Sequence, residues 1–467
     1  MNTNSACRGF DAEQLSRRTL LRVGGLGMLG LTYPRLLQAA ESRSVKKQPK
    51  ARAKSVIFLY QFGGPSHHET FDMKPDAIES IRGLHRPISS SADGIQVSER
   101  LPNMAKVMHK VTLIRSMTHT MLNHNSASYY ALTGKAPPVD DIRLRDTLDL
   151  MPTYGSVVDA LSPRVAELPS FVSYPHILRD GSITPGQHAS FLGKAHDPLL
   201  VLRDPNSPDF SLPELSLPKG ISYERLTARR ELQKMIDSQT RLLDHSASAQ
   251  GIDAYYERAL EMLHSSKLRE AFNISTEPEK LREKYGRHSY GQGCLLARRL
   301  VETGVKFVTV YFSDNIGGQN TDEGGWDTHG FNNTRMFPII EKRHLPLTDQ
   351  TLPTFINDLD DRGLLESTLI VWMGEFGRTP KINGNISRDH WPHCYTTLLA
   401  GGGLKRGIAY GASDRDGAYP AKDPVRPDDL AATIYYLLGI DPTTEVMNAQ
   451  NRPMSIADGQ PVMGVIA

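Results

Sequence analysis

Three short apolar runs constrain this chain more than anything else in it. They are SVIFLYQF (Ser55 to Phe62), VKFVTVYF (Val305 to Phe312) and STLIVWMG (Ser367 to Gly374). Each is rich in β-branched and aromatic residues and shows no polar alternation, which suits a strand buried on both faces. The second and third follow helical segments, LLARRLVETG and LPTFINDLDDRG, that close on glycine. Helix, glycine turn, buried strand, polar loop: this order predicts an α/β fold with helices covering both faces of a mostly parallel sheet. Ligands of such sheets lie beyond the carboxyl ends of the strands. The informative loops are therefore GGPSHHETFD, DNIGGQNTDEGGWDTH and EFGRTP, one after each run.

The middle of the chain reads differently. Pro152 to Pro218 is dense in proline and glycine and predicts long ordered loops. From about 222–268, apolar residues recur at three- and four-residue steps, as in YERLTARRELQKMIDSQTRLL, and predict a helical insertion.

Charge is unevenly placed. The formal net charge is +2, yet residues 1–54 hold 11 Lys/Arg against 3 Asp/Glu, which leaves the remainder at −6. An acidic body lacks the basic footprint that nucleic acid requires, so that class of partner is excluded. The basic start has its own reading. Ser16, Arg17 and Arg18 precede a short apolar, Gly-rich segment, and Gln38-Ala39-Ala40 offers small residues for cleavage. This resembles a twin-arginine signal peptide over 1–40, followed by a basic linker over 41–54 and one domain over 55–467. The apolar segment is too short to span a bilayer comfortably, so the expectation is a periplasmic or secreted protein with no transmembrane anchor after cleavage. Cys294 and Cys394 admit either one disulfide or two buried thiols.

Four polar constellations carry chemistry. In GGWDTHGF, Asp327 and His329 stand two positions apart, so an extended backbone turns both to one side. Oxygen and imidazole nitrogen together suit a divalent metal; the alternative is a pair of loop hydrogen-bonding residues. Glu375 follows the third apolar run directly and must be paired, hydrogen-bonded or metal-bound, because burying it bare is costly. It is a candidate ligand or general base, with Arg378 as an anion clamp or as its ion-pair partner. In SRDHWPHC, His390 can complete a set with Asp327 and His329, while Asp389 can bind the ion or orient a ring. NSASYYALTG reads as a helix closed by glycine, which puts His124, Asn125 and Ser126 at its positive end, where a nucleophile or oxyanion sits well; the alternative is an ordinary Ser/Asn helix cap. The first loop adds His67, His68, Glu69 and Asp72, which suit either a metal or a turn.

Taken in order, GGPSHHETFDMKP, IRSMTH with ALTG, YGxxxxGxxCLLARRLVExGVKFV, GWDTH, GEFGRTP with RDHW, and LLAGGGLKRG with YGASD resemble the secreted bacterial family called domain of unknown function 1501. That family is in turn similar to the alkaline phosphatase and sulfatase superfamily, in which metal ions sit at strand ends and a nucleophile at a helix start attacks phosphorus or sulfur. The resemblance implies Asp327, His329 and His390 as metal ligands, with Glu375 in an acidic ligand place and His124 in the nucleophile place. It also shows departures: Phe376 stands where a ligand histidine is expected, Gln61-Phe62-Gly63 where a ligand aspartate is, and no Cys-x-Pro-x-Arg signal of formylglycine sulfatases occurs. The expectation is an exported metal-dependent hydrolase of phosphate or sulfate esters. Its metal would be zinc first, with manganese or calcium as alternatives, and its substrate an anionic small-molecule or polysaccharide ester. The rival is a non-catalytic extracytoplasmic binding protein with a degenerate site.

Overall fold

All six residues of Ser55–Tyr60 are buried, because this strand is the one about which the sheet is built. The computed structural model describes residues 48–212, 225, 228–229, 231–232, 259–317, 324–330 and 335–467. The expected signal peptide, the linker as far as residue 47 and most of the expected helical insertion lie outside the described residues.

The main sheet has eight strands: β1 (Ser55–Tyr60), β2 (Val111–Met117), β3 (Phe171–Tyr174), β4 (Leu199–Leu200), β5 (Phe307–Tyr311), β6 (Thr368–Met373), β7 (Tyr395–Gly401) and β8 (Ile408–Tyr410). Their order is β8-β2-β7-β6-β1-β5-β3-β4. β1 runs parallel to β5 and β6, with Leu59 opposite Val310 on one side and Trp372 on the other. β8, β3 and β4 also join in parallel. β7 runs antiparallel between β6 and β2.

Among the described residues, the longer helices that cover this sheet are α1 (His124–Thr133), α2 (Tyr154–Leu161), α3 (Ser289–Thr303), α4 (Leu345–Asp361) and α5 (Pro427–Leu437). Successive strand residues face opposite sides. Ile57 and Leu59 accordingly pack with Leu295 and Leu296 of α3 and Phe355 of α4. Val56, Phe58 and Tyr60 pack with Leu132 of α1, Val157 of α2 and Ile434 of α5. Burying a phenylalanine as fully as Phe58, which is 1% exposed, contributes about 1.5–3 kcal/mol. Helices therefore lie on both faces, as the unbroken apolar runs imply.

Two expectations need correction. The Pro- and Gly-rich stretch 152–218 holds α2, β3 and β4 as well as loops; strands of two to four residues at the sheet margin are too short to show a pattern. The last residues of the expected linker, 52–54, do not behave as a free tether. Arg52 and Ala53 donate backbone bonds to Leu437 O, and Lys54 donates to Ser367 O, so these residues are docked on the domain. Cys294 and Cys394 are buried free thiols. Among the described residues, no helix is long and apolar enough to cross a membrane.

Candidate metal centre

The carboxyl ends of β1, β2, β5 and β6 share one edge of the sheet, and the amino end of antiparallel β7 meets the same edge. β1 runs into Gly63, at φ +101°, where a Cβ would lie 2.3 Å from Asp327 N. Only glycine lets the loop after β5 sit directly on this turn. Trp326 N pins that loop there by donating to Phe62 O at 2.8 Å, and Asp327 N closes the loop on itself by donating to Ile316 O at 2.8 Å. β6 runs into Glu375 and then a short hairpin that pairs Arg378 with His390 before β7 begins. The segment after β2 leads to α1, whose first residue is His124.

Four side chains converge from these connections. Asp327 Oδ1 lies 2.9 Å from His329 Nε2, 3.1 Å from His390 Nε2 and 3.4 Å from His124 Nε2. The Nε2 atoms of His329 and His390 are 2.9 Å apart. The opposite nitrogen of each ring faces an acceptor: His124 Nδ1 meets Glu375 Oε1 at 2.7 Å, His329 Nδ1 meets Asp389 Oδ1 at 2.8 Å, and His390 Nδ1 meets Leu122 O at 2.7 Å. Carboxylates and carbonyls only accept, so each Nδ1 donates, and a ring in its neutral form turns an Nε2 lone pair inward. With all three rings neutral, the inward lone pairs and the carboxylate oxygen would repel one another, so the cluster requires positive charge, from an ion or from a proton. Ligand bonds of about 2.0–2.1 Å place tetrahedral donors about 3.3 Å apart; ligand atoms of His124, Asp327 and His390 all lie within 4.8 Å of one another, and His329 Nε2 adjoins Asp327 and His390. His124 Nε2 is also buried without a hydrogen-bond partner. Donor chemistry and spacing both fit a divalent cation.

Electrostatics show the same demand. Burial works against ionised Asp327, but Arg378 and His124 outweigh it and hold its carboxyl well below the usual range. Burial likewise opposes a charged His124, yet Asp327 and Glu375 raise it to about 9, so a proton supplies the positive charge. Burial pushes His390 down to about 4, with His124 and Arg378 adding to the effect. Phe376 closes one side, its ring centroid 5.0 Å from His124 and 4.4 Å from His390.

A family model described as "Protein of unknown function (DUF1501)" matches residues 53–466. The chain belongs to this family. No curated protein matches it. Among solved structures, the DUF1501 chain is similar to the PsFucS1 sulfatase from Pseudoalteromonas sp., at 12% identity and TM-score 0.39, over 86% of this chain and 70% of that one. It is similar to the lipoteichoic acid synthase LtaP from Listeria monocytogenes at 10% identity and TM-score 0.36, over 85% and 74%. It is also similar to the alkaline phosphatase of the Antarctic bacterium TAB5 at 11% identity and TM-score 0.29, over 79% and 97%.

Some residues singled out in the sequence lie elsewhere than expected. Glu375 is fully buried one ring outward: Oε1 accepts from Gly63 N at 2.8 Å as well as from His124, and Oε2 accepts from Tyr60 OH at 3.2 Å. Both oxygens thus point away from the converging donors. Asp389 also stands one ring outward, behind His329. Arg378 is no open clamp. It is buried, and its guanidinium donates to Gly64 O at 3.0 Å, to Gly63 O and to Asp327 Oδ1 at 2.7 Å. Ser126 Oγ faces the backbone of Val139 and Asp141, away from the cluster. His67 and His68 face the carbonyls of Gly417 and Asp416, and Glu69 pairs with Arg388. Sequence reasoning missed Asp180. Burial raises its carboxyl, which feels His124, Asp327 and Glu375 and whose Oδ2 is buried without a partner. Its only signal in the sequence is an Asp-Gly turn.

Proposed function

We propose that the chain is an exported metal-dependent hydrolase of phosphate or sulfate esters that does not use formylglycine. The observation that carries this reading is the inward convergence of three imidazole Nε2 atoms on one carboxylate oxygen, each ring held by an acceptor behind it. Asp327, His329, His390 and His124 would hold the ion. Glu375, Asp389 and Leu122 O fix the ring tautomers, which is the usual work of groups one step outward. Arg378 orients and neutralises Asp327. A divalent ion supplies Lewis-acid polarisation of an ester oxygen and acidifies water. The side chains of His329 and His390 are 16% and 21% exposed against 4% for His124, so an ester would approach from their side. Phe376 packs on His390 and His124 and shields that part of the cluster from water. The ester class comes from the resemblance of the motifs to the phosphatase and sulfatase superfamily.

The test is elemental analysis of untagged protein, followed by chromogenic phosphate monoester, phosphodiester and sulfate substrates with zinc, manganese or calcium. The expected result is about one ion per chain and turnover that Asp327→Ala abolishes. Protein that binds no divalent ion, or turnover that survives Asp327→Ala, overturns the reading. One observation favours a second reading, a non-catalytic binding protein: four protein donors can fill a tetrahedral shell, as in structural sites. Stoichiometric metal without turnover of any ester supports it. Export rests on Arg17 and Arg18; replacing both with lysine should leave the protein in the cytoplasm, and unchanged export refutes that route.

A further inference from the structure

The hairpin that delivers His390 to the donor cluster turns its other face to a separate cleft. We infer that this cleft, beside Asp389, is a glycan-binding subsite that seats a sugar unit of a polysaccharide ester; the ester part rests on the hydrolase reading above. Its volume is about 580 Å³, within the range of ligand clefts. Trp391, Tyr419, Asn383, Lys381, Asp416 and Asp389 line it.

Two kinds of surface meet there. Trp391, Tyr419 and the neighbouring His393 form an aromatic cluster, with centroids 4.9 Å apart for Trp391–His393 and 5.7 Å for Trp391–Tyr419. Tyr419 is 53% exposed, so aromatic area is left uncovered at the rim. Around it stand carboxylates, an amide and an ammonium. A pyranose ring has the matching division: an apolar C–H face that stacks on an aromatic ring, and an edge of hydroxyls that bonds to planar polar groups. Nucleic acid fits poorly, since Lys381 is the one basic residue of the lining and nucleic acid needs a basic track.

The platform is rigid before any ligand arrives. Trp391 Nε1 donates to Ala418 O at 2.6 Å. Asp414 staples the Tyr419 loop by accepting from Ala418 N at 2.7 Å and Tyr419 N at 3.1 Å. Rigid aromatic anchors lose little entropy on binding. Asp389 links the two sites. Its Oδ1 accepts from His329 Nδ1 and Asn383 Nδ2, while the side chain is 48% exposed and borders the cleft. A sugar hydroxyl on Asp389 would therefore touch the carboxylate that orients a ring of the donor cluster.

The chain has three tryptophans, and Trp326 and Trp372 are 3% and 1% exposed. Trp391 emission thus reports on the cleft. The experiment titrates full-length protein with neutral and sulfated hexasaccharides of galactan, fucan, glucan, mannan and glycosaminoglycan backbones, and runs affinity electrophoresis in the parent polysaccharides. At least one glycan should shift the emission and retard the protein. Tyr419→Ala, at an exposed position, and Trp391→Ala should each weaken retardation by about tenfold, as loss of an aromatic anchor does. No response to any glycan, or retardation unchanged in both variants, overturns the inference. Glycan binding in protein that turns over no ester sinks the hydrolase reading and leaves the cleft standing. Ester turnover without glycan binding does the reverse.

Discussion

Replacing Arg378 with methionine tests whether its guanidinium balances Asp327 or serves an incoming anion. The two side chains are 1% and 8% exposed and meet at 2.7 Å. Removing one partner of so buried a pair costs about 3–5 kcal/mol, because the other charge is left uncompensated. The carbonyls of Gly63 and Gly64 lose their donors in the same step, which favours the upper end of that range. Asp327→Asn removes the stranded charge. The double variant should therefore lose less than the two single losses combined, by about 2–3 kcal/mol of coupling. The assay is urea unfolding of the parent, both single variants and the double, all in EDTA. A divalent ion should restore part of the stability of the Arg378→Met protein, since it binds the folded state and supplies the missing positive charge. Losses that simply add to within about 0.5 kcal/mol refute the coupling. So does an Arg378→Met protein as stable as the parent whose KM for an ester rises, the signature of an arginine that grips substrate.

Further outcomes follow from the same structure. Asp389→Asn and Glu375→Gln should each weaken metal affinity by about 10–100-fold without changing stoichiometry; competition with a chromogenic chelator reads this, and loss of stoichiometry would make either residue a direct ligand. Gly63→Ala should fail to give folded protein, because the new methyl would press on Asp327 N at 2.3 Å in a backbone shape that favours glycine; a native near-UV circular dichroism spectrum would contradict this. Burial would raise the carboxyl of Glu69, but Arg388 and His85 hold it below its usual range. Its stabilisation is thus full above about pH 4.3, the unfolded value, and is lost as pH falls through the lower folded value. Glu69→Gln should lower stability at neutral pH by about 3–5 kcal/mol and flatten the acid limb; an unchanged acid limb would exclude this pair as its source.

The fold was legible where burial on both faces leaves an unbroken apolar run. Ser55 to Phe62, Val305 to Phe312 and Ser367 to Gly374 became β1, β5 and β6, each one or two residues shorter at an end. The trimming falls at residues that already turn into the polar connections. The direction of β7 was not legible, since an apolar run such as Tyr395–Gly401 carries no sign of whether its neighbours run with it or against it. At the candidate centre, the spacing of Asp327 and His329 and the richness of SRDHWPHC could be read, because short-range pattern fixes them. The place of His124 among the donors could not, since it depends on where α1 sits against β1. Nor could the saturation of Arg378, whose partners Gly63 and Gly64 lie more than 300 positions away in sequence.

The reversed strand β7 has an unexpected corollary. Because it enters the sheet where β6 leaves, a single connection, residues 374–394, supplies Glu375, Phe376, Arg378, Asp389, His390 and Trp391. The candidate donor cluster and the aromatic cleft thus share one segment of chain. Exchanging that segment between relatives should therefore disturb both sites at once, whereas exchanging the loop that carries Asp416 and Tyr419 should disturb the cleft alone.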